Sequence, residues 1–108
     1  MLVGPPGSGK SHLAEVWRWR AEARFAHAQD VHVGNAPELL SGGALAIEDA
    51  SETSPEETAL FHLLNLAKQQ SASVLITSTK RPQQWKIALP DLASRLRALP
   101  VVEILPPD

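Results

Sequence analysis

One run near the start of the chain, Gly4-Pro5-Pro6-Gly7-Ser8-Gly9-Lys10-Ser11, limits the possible folds more than any other feature. It meets the spacing G-x-x-x-x-G-K-[ST] in full, with apolar Leu2-Val3 before it and a helix-forming stretch after it. Gly4, Gly7 and Gly9 allow the backbone to curl with its N–H groups turned inward, in conformations that a Cβ hinders. A helix that opens directly behind the curl adds orphan N–H donors and the positive end of its dipole. The resulting hollow suits phosphate. Lys10 is placed to reach the β- and γ-phosphates of a nucleotide, and the Ser11 hydroxyl to hold Mg2+. A glycine turn that only joined strand to helix would not need Lys and Ser immediately after its last glycine.

The rest of the chain alternates strand and helix signals. A helix is expected over about Lys10 to Arg24, with Leu13, Trp17, Ala21 and Phe25 on one stripe. Asp30 to Val33 reads as a short strand, broken by Gly34-Asn35, and Pro37 to Leu40 supports one helical turn at most. Ser41-Gly42-Gly43 is a turn. Ala44-Leu45-Ala46-Ile47 is an unalternated apolar run, which suits a strand buried on both faces of a parallel sheet. Ser54-Pro55-Glu56-Glu57 reads as a helix start, with Glu57 completing a capping box, and Leu60, Leu63, Leu64 and Ala67 form the stripe behind it. A strand over Ser73–Ser78, a helix opened by Pro90 and closed by Pro100, and a last strand over Val101–Ile104 complete the pattern. The class is α/β with a parallel sheet, and 108 residues suit one domain.

Composition excludes several chemistries. There is no cysteine, hence no disulfide, thiolate nucleophile or Cys-based zinc site. His12, His27, His32 and His62 have no close metal spacing. A formal net charge of −2 gives no electrostatic footprint for nucleic acid, so no direct grip on DNA is expected. No apolar run approaches the roughly 20 residues of a membrane span, and no signal peptide precedes the loop, which makes the cytoplasm the expected location.

Glu48-Asp49 follows the buried run at 44–47, where one carboxylate completes an Mg2+ shell and the next orients or deprotonates an attacking water. The more usual order is Asp first, then often Glu. With Glu48 on the metal side and the shorter Asp49 as base, nucleotide binding is expected to survive better than hydrolysis. Thr77-Ser78-Thr79 ends the next strand; Thr79, with Ser78 second, is the candidate to contact the γ-phosphate or water, against a purely local backbone role for each hydroxyl. Arg95, beside Leu92 and Leu96, is the candidate arginine finger for a neighbour's nucleotide, with Arg97 as the weaker alternative and an ordinary solvated arginine as the competing account. Trp17 fits the apolar stripe, Trp19 lies off it, and Trp85 suits either a partner contact or partial burial.

Three segments carry a closer resemblance: Leu2 through Leu13, Leu75-Ile76-Thr77-Ser78-Thr79-Lys80-Arg81-Pro82, and Leu89-Pro90-Asp91-Leu92-Ala93-Ser94-Arg95-Leu96. Together they resemble the DnaA-related branch of AAA+ P-loop ATPases, most closely its Hda-type regulators, over essentially the whole chain. The resemblance implies a three-layer sandwich with strand order 5-1-4-3-2. It implies ATP or ADP with Mg2+ as ligand, held by Gly4, Pro5, Pro6, Gly7, Ser8, Gly9, Lys10, Ser11 and His12, with Ser11 and Glu48 on the metal side. It also implies DnaA and the DNA polymerase sliding clamp as partners: Hda-type proteins, together with the DNA-loaded clamp, stimulate hydrolysis of ATP held by DnaA, and Arg95 falls at their arginine finger. The chain departs from the pattern at Glu48, where aspartate is common, and at Thr79, where DnaA often has aspartate. The stretch between Val33 and Ala44 is too short for the helices that initiators insert to grip DNA. The chain is expected to be a partial AAA+ core, beginning inside the first strand without the clamp-binding segment and ending after the fifth without the helical lid and its sensor 2 arginine. A self-sufficient ATPase, DnaC-like or a transposition helper, is the alternative; a small P-loop kinase is disfavoured because no lid arginines or acceptor site are evident.

Overall fold

The computed structural model describes residues 1–4, 10–48, 56–81 and 84–104, with nothing described of the side chains of Lys10, Ser11 and Val33. Five strands form one parallel sheet: β1 (Leu2–Val3), β2 (Arg24–His27), β3 (Ala44–Glu48), β4 (Ser73–Ser78) and β5 (Val102–Glu103), in the order β2-β3-β4-β1-β5. Read from the other edge this is 5-1-4-3-2, the expected order. The helices are α1 (Lys10–Ala21), α2 (Ala36–Leu39), α3 (Glu57–Gln70) and α4 (Pro90–Ala98), with 3-10 turns at Ala28–Asp30 and Val33–Asn35.

The connection from β1 runs toward one edge of the sheet, while those leaving β2, β3 and β4 run toward the other. With right-handed crossovers, this puts α1 on one face and α2, α3 and α4 on the opposite face. The contacts agree: α1 touches β1, β3 and β4, whereas α3 touches both α2 and α4. The central strands β3 and β4 bury Leu45, Ile47 and Ile76, which join Leu60 and Leu63 of α3 and Leu92 and Leu96 of α4 in the core.

The largest difference from expectation lies after α1. The helix stops at Ala21, and the second strand is Arg24–His27 rather than Asp30–Val33. Glu22 adopts the left-handed conformation (φ 52). Around it, the Ala23 N–H donates to Arg18 O at 2.9 Å and the Glu22 N–H to Trp19 O at 3.4 Å, a Schellman-type stop. Glycine usually marks such a stop, and here glutamate occupies it. Phe25 keeps the helical spacing of Trp17 and Ala21 by coincidence; it lies on β2. The residues read as the second strand are instead a tight connection, in which the His32 N–H donates to Asn35 Oδ1 at 2.8 Å and Asn35 Nδ2 donates to Asp30 O at 2.7 Å.

The expected stripe of α1 is also rotated. Ala14 is its one buried residue among those whose side chains are described, Trp17 is half-buried, and Leu13, Val16 and Trp19 are exposed, Trp19 by 83%. On the other face, α3 buries Ala59, Leu60, Leu63, Leu64 and Ala67, as its stripe indicates. It ends at Ser71 in the left-handed region (φ 55), with the Ala72 N–H donating to Ala67 O at 2.8 Å. Ser54 and Pro55, the expected start of α3, lie outside the described residues.

Candidate nucleotide site

In a parallel sheet every strand points its carboxyl end to the same edge, and ligands gather there where the strand order reverses. Here that edge carries Val3-Gly4 at the end of β1, Glu48 at the end of β3 and Ser78-Thr79 at the end of β4. The register brings them level. Val3 pairs with Ser78 on one side and with Glu103 on the other, and Ile47 pairs with Ile76. The Gly4 N–H donates to Ser78 O at 3.0 Å, which fixes the departure of the chain from β1 against the tip of β4. Helix α1 begins at Lys10 on the far side of the glycine run. Pro5, Pro6, Gly7, Ser8 and Gly9 lie outside the described residues, as does Asp49. Lys10 and Ser11 are placed by their backbone in the first turn of α1. His12 is exposed and lies with Glu15, Val16, Trp19 and Arg20 around a shallow apolar hollow on α1.

Glu48 is half-buried between two strands, paired with His27 of β2 and one step beyond the Ile47–Ile76 pair. Its neighbour in that direction, Thr77, is buried. A carboxylate and hydroxyls at one strand edge are hard oxygen donors of the kind Mg2+ takes, so the residue types at this edge fit that ion beside a nucleotide's phosphates. Among the described residues no group of three or more His, Asp or Glu is arranged to hold a metal by itself.

The tip of β4 is built from local bonds. The Ser78 hydroxyl donates to Lys80 O at 2.6 Å and accepts from the Lys80 N–H at 3.0 Å, so it is engaged with its own turn. Thr79, half-buried, is the central residue of that turn. The turn continues through Arg81, whose N–H donates to Gln84 Oε1 at 3.0 Å and whose carbonyl accepts from the Gln84 N–H at 2.8 Å. The Arg81 guanidinium pairs with the Glu103 carboxylate at the end of β5 and so crosses over the end of β1.

Arg95 lies on α4, half-buried, with its guanidinium carbon 5.7 Å from the centroid of the Phe61 ring on α3. That is within cation–π range. Arg97 is exposed. The start of α4 is also held by α3: Glu57 Oε1 accepts from the N–H groups of Ala88 (2.8 Å) and Leu89 (2.9 Å). The expected capping-box role of Glu57 therefore gives way to capture of a segment more than thirty residues later. Sequence reasoning passed over Phe61 and Glu57 in this second role; Trp85, read as either a partner contact or a partly buried residue, is half-buried against the core, and its indole reaches the tip of β4. Phe61 left a trace in the sequence, a large apolar residue one helical turn from Glu57 and off the buried stripe.

No protein-family model matches the chain. Solved structures do. AMPPCP-bound DnaA from Aquifex aeolicus superposes with a TM-score of 0.72 at 21% identity, over 95% of this chain and 39% of that one. Domain III of the Thermotoga maritima replication initiation protein DnaA gives 0.69 at 23% identity, over 99% of this chain and 54% of that one. A Neisseria meningitidis protein known by its solution structure gives 0.66 at 25% identity, over 97% and 73%. The fold, a five-stranded parallel sheet between helices, is the one these DnaA structures share. This chain spans less than two thirds of either DnaA structure. No described helix is long and apolar enough to cross a membrane.

Proposed function

We propose that the chain is the nucleotide-binding part of a cytoplasmic AAA+ regulator of replication initiation, which binds ADP or ATP with Mg2+ and stimulates hydrolysis of DnaA-bound ATP together with the sliding clamp. The observation that carries the nucleotide half is the bond from the Gly4 N–H to Ser78 O. It sets the start of the glycine run beside the hydroxyl-bearing tip of β4, in a fold shared with nucleotide-bound DnaA. Lys10 would neutralise phosphate charge, Ser11 and Glu48 would hold Mg2+, and Thr79 would contact the γ-phosphate. The bound cation would draw charge from the phosphates, while the protein's part is to bind and orient them.

The regulatory half rests on Arg95. Its helix is anchored to α3 through Glu57 and Phe61, and its guanidinium lies on the Phe61 ring. A cation held against a neighbouring helix in this way is suited to meet a partner's nucleotide. The connection from β2 to β3 supports a regulator over an initiator, since it holds only two 3-10 turns and the single turn of α2, with no room for a DNA-gripping helix pair.

The reversed acids, Glu48 before Asp49, favour binding over turnover, so single-turnover cleavage by the chain alone should run well below about 1 per second. Glu48→Asp combined with Asp49→Glu should raise it. A rate typical of a working ATPase in the unaltered protein would instead support the self-sufficient ATPase. The decisive assay follows DnaA-bound ATP in the presence of loaded clamp, with and without this protein; no stimulation overturns the regulatory reading.

A further inference from the structure

The proposed function sets the Thr79 hydroxyl against the γ-phosphate, and the inference drawn here rests on that reading. The two neighbours of Thr79 are tied to each other through the Ser78 hydroxyl, which donates to Lys80 O (2.6 Å) and accepts from the Lys80 N–H (3.0 Å). Thr79 is thus the apex of a small closed ring. A third residue braces the ring from outside. The Trp85 indole N–H lies 3.2 Å from Ser78 Oγ and 3.1 Å from Lys80 O, within reach of both halves at once. Ser78 is fully buried, and its carbonyl accepts from the Gly4 N–H at 3.0 Å, so the braced ring is fixed to the first residue of the glycine run.

Packing alone does not account for this placement. Trp85 is half-buried against the core, a role that phenylalanine would fill. Tryptophan brings a larger aromatic surface than phenylalanine and also an N–H donor, and here that donor faces two acceptors of one turn. We propose that Trp85 is a positioning residue for triphosphate recognition. Its N–H holds the Ser78–Lys80 ring in the conformation that keeps Thr79 at the strand tip beside Gly4, and so sets how strongly the protein prefers ATP to ADP.

The test is equilibrium titration with Mg-ATP and with Mg-ADP of four proteins: the unaltered chain, Trp85→Phe, Ser78→Ala and the double variant. Trp85→Phe keeps an aromatic side chain, though a smaller one, and removes the donor. It should weaken ATP about fivefold, the size of one lost hydrogen bond, while ADP changes by less than about twofold. Ser78→Ala should lower the same preference, and the double variant should lose no more than the worse single variant, because both act on one ring. A merely structural role would weaken both nucleotides together. Equal loss of ATP and ADP, no loss of either, or losses that multiply in the double variant would each overturn the inference and leave the proposed function standing. If the unaltered chain binds neither nucleotide, the proposed function falls and takes the inference with it.

Discussion

The two faces of the sheet are covered by different means. On one, α1 buries only Ala14 among its described side chains and turns Leu13, Val16 and Trp19 outward. On the other, α3 and α4 bury a continuous set of leucines, and polar capture at Glu57 and the Arg95–Phe61 contact add to them. A small side chain at the seam lets α1 lie close to the strands, and its covalent tie to the glycine run sets where it begins. The helix that starts at the proposed phosphate edge thus buries little of its own surface. The face that would serve a partner is positioned by packing.

The largest effect that would sharpen this contrast is on a partner's chemistry. Arg95→Ala should reduce stimulation of DnaA-bound ATP hydrolysis by about 10³-fold or more, the scale of arginine fingers in other P-loop systems, while own-nucleotide affinity stays nearly unchanged and unfolding free energy falls by no more than about 0.5–1 kcal/mol, the scale of its contact with Phe61. Arg97→Ala is the control. If both variants stimulate like the unaltered protein, Arg95 is an ordinary surface residue; if only Arg97→Ala fails, the helix is right and the residue is wrong. Next comes packing: Leu96→Ala, at a fully buried site on α4, should lower unfolding free energy by about 2–5 kcal/mol in a denaturant melt. Lys10→Ala should then weaken labelled ADP by about 1.5–3 kcal/mol, with folding unaffected. Unchanged affinity would remove the phosphate-loop reading.

Smaller effects probe the links. Glu57→Ala deprives the Ala88 and Leu89 N–H groups of their acceptor and should cost about 1 kcal/mol in unfolding free energy. Hydrogen exchange should localise the loss to the start of α4. At the bottom of the scale, Trp19→Ser on the outer side of α1 should shift stability by no more than about 0.5 kcal/mol. A larger loss would show that this surface is covered in the working protein, and the contrast between the faces would break.

The same contrast explains what was legible in the sequence. The unalternated run at 44–47, the leucine stripes of α3 and α4 and the proline at 90 each carry a local signal that the fold obeys, and the strand order is implied by the resemblance that Leu2–Leu13, Leu75–Pro82 and Leu89–Leu96 carry. The end of α1 was not legible, because glutamate at position 22 takes a backbone conformation that normally calls for glycine, and because Phe25 continues a helical spacing while lying on a strand. The stripe of α1 was misread because a helix held close by a small residue turns its large ones to solvent. At the candidate site the glycine run, Glu48 and the hydroxyls of β4 stand out by residue type and place. Glu57, Phe61 and Trp85 do not, since their partners lie in other elements and no spacing rule connects them.

The place of β1 in the sheet also bears on how the protein comes into being. Leu2 pairs with Thr77 and Val102, so the strand that leads into the glycine run lies between two strands supplied by the second half of the chain. Such distant pairing makes folding slow to commit, because long loops must close before the contacts reward them. During synthesis the glycine run leaves the ribosome early, yet it has no neighbour to lean on until β4 and then β5 have emerged. If the run holds a nucleotide as proposed, that competence would arrive only when both neighbours are in place, and a ribosome stalled before Val102 would carry a chain whose glycine run is made and still without its seat.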